Sequence, residues 1–386
     1  MTSPDIRPLK FNTARSIVCE PGAIGQLGEI CASLSPGKVF LVTDPGIIAA
    51  GLHEPALESL SSAGLACSVF QDVRADPPED IVLNALDLAR NQKTGTVVGL
   101  GGGSSMDVAK LIAALCYSSQ ALSDAYGIGN LTGDRLPLVQ IPTTAGTGSE
   151  VTPISIITTG ATTKAAVIAP QLLPDVALLD PELTVGLPPH VTAATGIDAM
   201  VHAIESFTSA IHKNPYSDML ATQALTLMSA NIETAVHDGG DLAARTAMLF
   251  GSLLAGQAFA NSPVAAVHAL AYPLGGHFHI PHGLSNSLVL PHVLRFNYET
   301  AADQYATLFR IVVQGAGEGS ASESLPDYFE ALVDRLKMPS KLRELDVPED
   351  ALPMLASDAM LQQRLLVNNP RKVNEQDALR IYEAAY

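Results

Sequence analysis

Val98-Gly-Leu-Gly-Gly-Gly-Ser-Ser-Met-Asp107 follows a β-branched run at 95–99 and leads straight into a helical pattern over 108–116. A strand that turns on glycines into a helix lets the backbone approach a diphosphate closely. The helix N-terminus then supplies free N–H groups and a favourable dipole. The stretch is not G-x-G-x-x-G, because position 104 is serine, and an ordinary tight turn reads the same way. Ser104 with Asp107 also fits a capping box, which makes Asp107 a helix cap rather than a ligand.

Upstream, strand-like runs at 16–19, 38–43 and 66–70 alternate with helical stretches at 22–34, 47–63 and 79–91. That alternation indicates a parallel, doubly wound sheet. Asp44 closes the second run. A carboxylate there can accept from both ribose hydroxyls of an adenosine and would repel a 2′-phosphate, favouring NAD over NADP; strand-end aspartates are also plain turn formers. Downstream, a strand at 138–141 feeds Pro142-Thr-Thr-Ala-Gly-Thr-Gly-Ser-Glu-Val-Thr152. This hydroxyl-rich loop suits hydrogen bonds to a dinucleotide, or to its own backbone.

From about residue 186 the pattern becomes helical, at 190–209, 215–235, 241–260, 299–315 and 322–337. Prolines in Leu187-Pro-Pro189 mark the change. The expected organisation is an α/β domain over 1–186 and an all-α domain over 187–386, with the site in the cleft between them. The helical half carries Thr195-Gly-Ile-Asp-Ala-Met-Val-His202 and, later, four of the ten histidines within positions 268–282. Asp198 and His202, four apart on a helix, share one face. Mixed imidazole and carboxylate shells suit divalent cations, so Asp198, His202 and two of the later histidines are candidate ligands.

Length and composition narrow the class. At 386 residues, 47% hydrophobic and 16% charged, the chain reads as a compact protein of about two domains. A net charge of −17 argues against a nucleic-acid or anionic-membrane surface. No apolar run suits a membrane span, and the first ten residues lack the apolar core of a secretory leader. Cys19, Cys31, Cys67 and Cys116 form no close pair and read as buried thiols of a reducing cytoplasm.

The combination Gly101-Gly-Gly-Ser104…Asp107, Pro142–Glu150, Gly196-Ile-Asp-Ala-Met-Val-His202-Ala-Ile-Glu205 and His268…Pro281-His-Gly283 resembles the iron-containing (group III) alcohol dehydrogenase family. The resemblance runs from about residue 10 to at least residue 300. It implies a Rossmann-like parallel sheet followed by a helical domain, the dehydroquinate synthase-like architecture. It also implies metal ligands Asp198, His202, His268 and His282. The NAD-facing residues it implies are Asp44, Gly101, Gly102, Ser104, Thr143, Thr144, Thr147, Ser149 and Lys164. Phe259 matches an aromatic of the substrate channel. Many members carry a further histidine four residues after the third ligand. Here that position is Tyr272, so either its hydroxyl or His277 is the expected proton relay, or Tyr272 simply packs the wall.

Three neutral imidazoles and one carboxylate leave a divalent ion with a net charge of about +1, able to polarise an alcohol hydroxyl. The expected function is hydride transfer between a small primary alcohol or aldehyde and NAD(H), with Fe²⁺, or Zn²⁺, as the ion. The expected setting is cytoplasmic, as a homodimer or larger homo-oligomer. Competing readings on the same fold are a metal-free maleylacetate-reductase-like carbonyl reductase and a sugar-phosphate cyclase resembling dehydroquinate synthase. The cyclase calls for Lys and Arg around a phosphorylated acidic substrate, and positions 186–300 offer only Lys213, Arg245 and Arg295.

Overall fold

The computed structural model describes residues 9–160, 163–316 and 322–386. Residues 1–8, most of the stretch read above for a secretory leader, lie outside them. The chain folds as two compact units, one spanning Thr13–Gly186 and the other Leu187–Tyr386 with the segment that ends at Asn12. Asn12 is tied into the helical unit by Asn261, whose side chain accepts from the Asn12 N–H (2.7 Å) and donates to its carbonyl (2.8 Å).

The strands are β1 (Ser16–Cys19), β2 (Lys38–Val42), β3 (Cys67–Phe70), β4 (Thr94–Gly101), β5 (Gly127–Ile128), β6 (Leu138–Pro142), β7 (Ile154–Thr159), β8 (Thr163–Ile168) and β9 (Val176–Leu179). Six form one sheet in the order β1-β9-β6-β4-β2-β3, with every neighbouring pair parallel. Interleaved with the strands are helices α1 (Leu27–Leu34), α2 (Pro45–Ala49), α3 (Glu54–Ser62), α4 (Glu79–Asn91), α5 (Gly103–Leu115) and α6 (Leu122–Ala125). Alternate strand residues point to opposite faces. Phe40, Val42 and Val97 therefore join the core that α4 and α5 cover. Val39, Leu41, Val98 and Leu100 join the one under α1 and α3. Both faces are buried, as a doubly wound parallel sheet requires. The antiparallel pair β7–β8, with β5 on its edge, has no counterpart among the strands read from sequence.

Register brings the site loops together. Val42 lies beside Gly99 and Gly101 beside Pro142. The C-terminal ends of β2, β4 and β6, carrying Asp44, the glycine turn and the hydroxyl-rich loop, are thus adjacent. Ligands of open α/β sheets bind at such carboxyl ends.

The second unit contains α7 (Pro189–Thr208), α8 (Pro215–His237), α9 (Leu242–Asn261), α10 (Ala266–Phe278), α11 (His282–Ala316), α12 (Leu325–Arg335), α13 (Leu352–Ala359), α14 (Gln363–Leu366) and α15 (Glu375–Ala385). Pro188 and Pro189 start α7, since a proline at the first helical position forfeits no hydrogen bond. Asn214 and Asp241 cap α8 and α9 by accepting the N–H of Ser217 and of Ala244, both at 2.9 Å. The stretch 299–315 is the second arm of α11, which bends at Ala301 (φ −116°). The histidine cluster is helical as well: α10 closes on His279 in the left-handed region (φ 54°), and α11 begins three residues later. Among the described residues, no helix is long and apolar enough to cross a membrane.

Candidate active site

Asp198, His202 and Glu205 occupy positions i, i+4 and i+7 of α7, one face of the helix. All three are buried in a segment whose neighbours are apolar. His268 comes from the first turn of α10 and His282 opens α11. Gly283 lets α11 lie against α7, because a Cβ there would stand 2.2 Å from the Ala194 carbonyl oxygen.

Asp198 Oδ1 stands 3.6 Å from His282 Nε2, 3.7 Å from His268 Nε2 and 4.0 Å from His202 Nε2. Two donors each ~2.1 Å from one ion can be no more than ~4.2 Å apart. All three imidazoles pass that test against the carboxylate oxygen. Asp198, His268 and His282 also close on one another within 4.8 Å; His202 is not one of that group and joins through Asp198 Oδ1 at 4.0 Å. The His202 and His268 rings stack with centroids 4.7 Å apart, and His282 is tilted against His268 at 5.3 Å. His268 Nδ1 lies 2.7 Å from Glu205 Oε2, so that nitrogen carries the proton and Nε2 keeps a lone pair for the cluster. The donor chemistry therefore fits a divalent ion such as Fe²⁺ or Zn²⁺.

Asn286, one turn after His282, directs Nδ2 at Asp198 Oδ1 (2.5 Å) and lies 3.4 Å from Nε2 of both His268 and His282. Its Oδ1 is buried without a hydrogen-bond partner among the described residues. Phe259 stacks on His202 with centroids 4.3 Å apart, and the Tyr272 ring is 5.9 Å from that of His282. Both flank the cluster. His277, the other expected relay, is held by Asp358 of α13, Nε2 to Oδ2, at 2.6 Å.

In the α/β unit, Gly101 takes φ 142°, and a Cβ on it would meet Asp44 Oδ2 at 3.0 Å and Ser105 Oγ at 2.9 Å. Asp44 caps α2 with Oδ1, accepting from Gly46 N (2.9 Å) and Ile47 N (3.1 Å), while Oδ2 accepts from Ser105 Oγ (3.1 Å). It is thus a turn former at the very place where a ribose-binding carboxylate belongs. The capping box read at Ser104 and Asp107 is not formed. The helix starts at Gly103 with Gly102 as its N-cap, and no side chain caps it, which leaves its first N–H donors for a phosphate. Ser104 sits in that uncapped first turn. Thr147 packs where a Cβ on Gly103 would fall, at 2.9 Å. Thr143 N donates to Gly101 O at 3.0 Å. Thr144 Oγ1 is buried and unpartnered among the described residues, a donor that a bound ligand would satisfy. Lys164 on β8 pairs with Asp76 at 2.5 Å.

Asp107 instead faces the loop beyond β6, together with Lys110, a residue the sequence reading passed over. Lys110, fully buried, donates to Ser149 Oγ (2.7 Å), Thr152 Oγ1 (3.1 Å) and Ile154 O (2.6 Å). Ser149 Oγ donates onward to Asp107 (2.6 Å), which also accepts from Ile156 N (2.7 Å). Burial pulls the Lys110 pKa down and pushes Asp107 up. Three acceptors around Nζ and two donors on the carboxylate nevertheless favour the charged forms. Ser149 is thereby the hinge pin between α5 and the hydroxyl-rich loop.

Glu150, next in the chain, is buried, and that burial pushes its carboxyl up to about 7 from an ordinary 4.5. With the folded pKa above the unfolded one, its contribution to stability is complete below about pH 4.5 and is lost as pH rises through about 7. The loss amounts to about 3 kcal/mol at most. Glu150→Gln should remove that slope, so urea midpoints for the variant and wild type should diverge above about pH 5. Parallel pH profiles would show that Glu150 ionises normally.

Residues 14–181 match the family model described as iron-containing alcohol dehydrogenase, and residues 192–386 match that of the Fe-containing alcohol dehydrogenase family, C-terminal. The chain belongs to the iron-containing alcohol dehydrogenase family. A long-chain-alcohol dehydrogenase of Geobacillus thermodenitrificans is 42% identical over 374 residues, covering 95% of this chain and 93% of the relative. The crystal structure of a 1,3-propanediol oxidoreductase superposes with a TM-score of 0.91 at 35% identity, covering 98% of this chain and all of that one. That of a sulfoacetaldehyde reductase from Bifidobacterium kashiwanohense, in complex with NAD⁺, gives a TM-score of 0.88 at 28% identity, covering 98% and 99%. Like its family, this iron-type enzyme is an oxidoreductase of alcohols and aldehydes.

Membership settles the fold class expected from the glycine turn. Glu205 and Asn286 are the site residues that the sequence reading missed. Glu205 had a signal, a carboxylate three positions after His202 on the same buried face; Asn286, one turn after His282, had a weaker one.

Proposed function

We propose that Asp198, His202, His268 and His282 hold the catalytic ion and that the substrate is a small primary alcohol or the matching aldehyde. The reaction is NAD-linked, and the cofactors are NAD and iron, with Zn²⁺ an alternative ion. The observation that carries the metal assignment is the single carboxylate oxygen within 4.0 Å of three imidazole Nε2 atoms. When bound, the ion supplies Lewis acidity to the alcohol oxygen and the nicotinamide accepts the hydride.

The chain's own residues do the rest. Phe259, lying on His202, gives the substrate carbon an apolar wall and excludes water beside the ligands. Tyr272, beside His282, is the proposed group that passes the hydroxyl proton outward. His277, engaged with Asp358, is the less suited of the two relays. Asp44 offers Oδ2 to the adenosine ribose by exchanging its bond from Ser105. Gly101, Gly102 and the uncapped start of α5, with Ser104, take the diphosphate. Thr143, Thr144 and Thr147 supply hydroxyls, and Ser149 sets the loop that carries them. Lys164 is proposed as a cofactor contact at the rim, reached by release from Asp76. The enzyme is proposed to work in the cytoplasm, consistent with its unpaired cysteines, as a homodimer or larger homo-oligomer.

A panel of primary alcohols, run with NAD and NADP on protein reconstituted with Fe²⁺ or Zn²⁺, tests the reading. Net NADH formation, faster with NAD than NADP, is expected. No net NADH with any of the alcohols would contradict the reading and leave the cyclase, which uses NAD only transiently.

A further inference from the structure

We propose that Glu205 is a positioning residue for the metal centre, fixing His268 in the Nδ1–H tautomer so that Nε2 faces the ion. The proposal rests on reading His268 as a ligand. Glu205 is 4% exposed, and both its oxygens are fully engaged. Oε2 accepts from His268 Nδ1 at 2.7 Å and from Ala265 N at 2.8 Å; Oε1 accepts from Val267 N at 2.6 Å. Ala265 is the N-cap residue of α10, and no side chain of that residue caps the helix. The carboxylate from α7 does so in its place, where negative charge suits the helix dipole.

A helix cap alone would need no third bond. The bond to Nδ1 decides the tautomer, because a carboxylate can accept there only if Nδ1 carries the proton. In the other tautomer a hydrogen on Nε2 would point at the cluster and no lone pair would remain for an ion. Glutamine at 205 has one accepting oxygen and an amide that only donates, so one of the three donors must lose its partner. Glu205 also brings a second negative charge to the cluster beside Asp198, matching the two positive charges of the ion. Carboxylates in this outer position are worth ~10–100-fold in metal affinity.

Glu205→Gln and Glu205→Asp, made in the full chain, can be compared with wild type for Co²⁺ and Zn²⁺ affinity by chelator competition. The cobalt absorption spectrum and urea unfolding with and without the ion complete the comparison. Glu205→Gln should bind both ions ~10–100-fold more weakly, shift the cobalt spectrum, and gain less stability from added metal. Glu205→Asp, which keeps the charge, should recover part of the affinity. Wild-type affinity and cobalt spectrum in Glu205→Gln would overturn the proposal, however far the metal-free variant is destabilised. Should that variant not fold, histidine ¹⁵N shifts of the metal-free wild type decide: an Nδ1–H His268 is expected, and an Nε2–H ring contradicts it. Wild-type protein that takes up no cobalt, or a His268→Ala variant that binds it normally, would instead bring down the ligand assignment itself.

Discussion

His268→Ala and His282→Ala are each expected to purify without a stoichiometric ion and to show no measurable alcohol oxidation, whereas wild type carries one ion per chain. The size of the effect follows from what the ion does. Coordination lowers the pKa of bound water from near 16 to about 7, roughly nine units, or on the order of 12 kcal/mol at 1.36 kcal/mol per unit. Among the described residues, no side chain near the cluster offers a substitute of that size. Tyr272, as the proposed relay, would move a proton without stabilising the oxygen it leaves. The two variants differ in cost to the fold. His282 has a side chain 36% exposed, so truncation leaves little behind. His268→Ala strips Glu205 of one of its three donors inside the protein, at about 1–3 kcal/mol. His282→Ala is therefore the cleaner test: metal analysis and NADH formation should both fall to background while the thermal midpoint of the metal-free protein holds.

Lys110→Met is expected to destabilise the α/β unit by about 3–5 kcal/mol, the cost of breaking a buried ion pair from one side. The side chain is nearly isosteric, so the loss is of charge and hydrogen bonds rather than volume. Asp107, whose side chain is only 13% exposed, would keep its charge without a cation. Ser149 Oγ, Thr152 Oγ1 and the Ile154 carbonyl would lose their donor. These groups tie α5 to the loop carrying Thr143, Thr144 and Thr147, so NAD affinity should fall with stability. Denaturant melts and NAD titrations on Lys110→Met and on Lys110→Met/Asp107→Asn separate the two effects. The double variant should regain part of the stability, because the stranded charge is gone, but not the NAD affinity. A single variant as stable as wild type would mean that Lys110 is neutral in the folded protein.

Much of this was legible in the chain because periodicity reports burial. The apolar runs of β2 and β4, covered on both faces, read directly as parallel strands. Asp198 and His202 read as one helix face because four residues span about one turn. What was not legible depended on contacts made at a distance. The spacing from Ser104 to Asp107 suits a cap, but the helix begins on Gly103. Asp107 lies one turn inside it and turns to residues 42 and 49 positions away in the chain. The helix carrying His268 had no counterpart among the helical stretches read from sequence; it holds Pro273, Gly275 and Gly276, all poor helix formers, in its second half. The β7–β8 pair was missed in a threonine-rich run without clean alternation, and with it the placement of Lys164. Glu205 was visible as a letter, but its role needed the fold to bring Ala265, Val267 and His268 to it across 60 residues or more of chain.

The most direct test is an anomalous-scattering map at the iron edge, from crystals of the iron-reconstituted protein. The account predicts one peak per chain within about 2.0–2.3 Å of an Asp198 oxygen and of Nε2 of His202, His268 and His282. An ion bound elsewhere, or full activity in crystals and solution without any peak at that position, would contradict it.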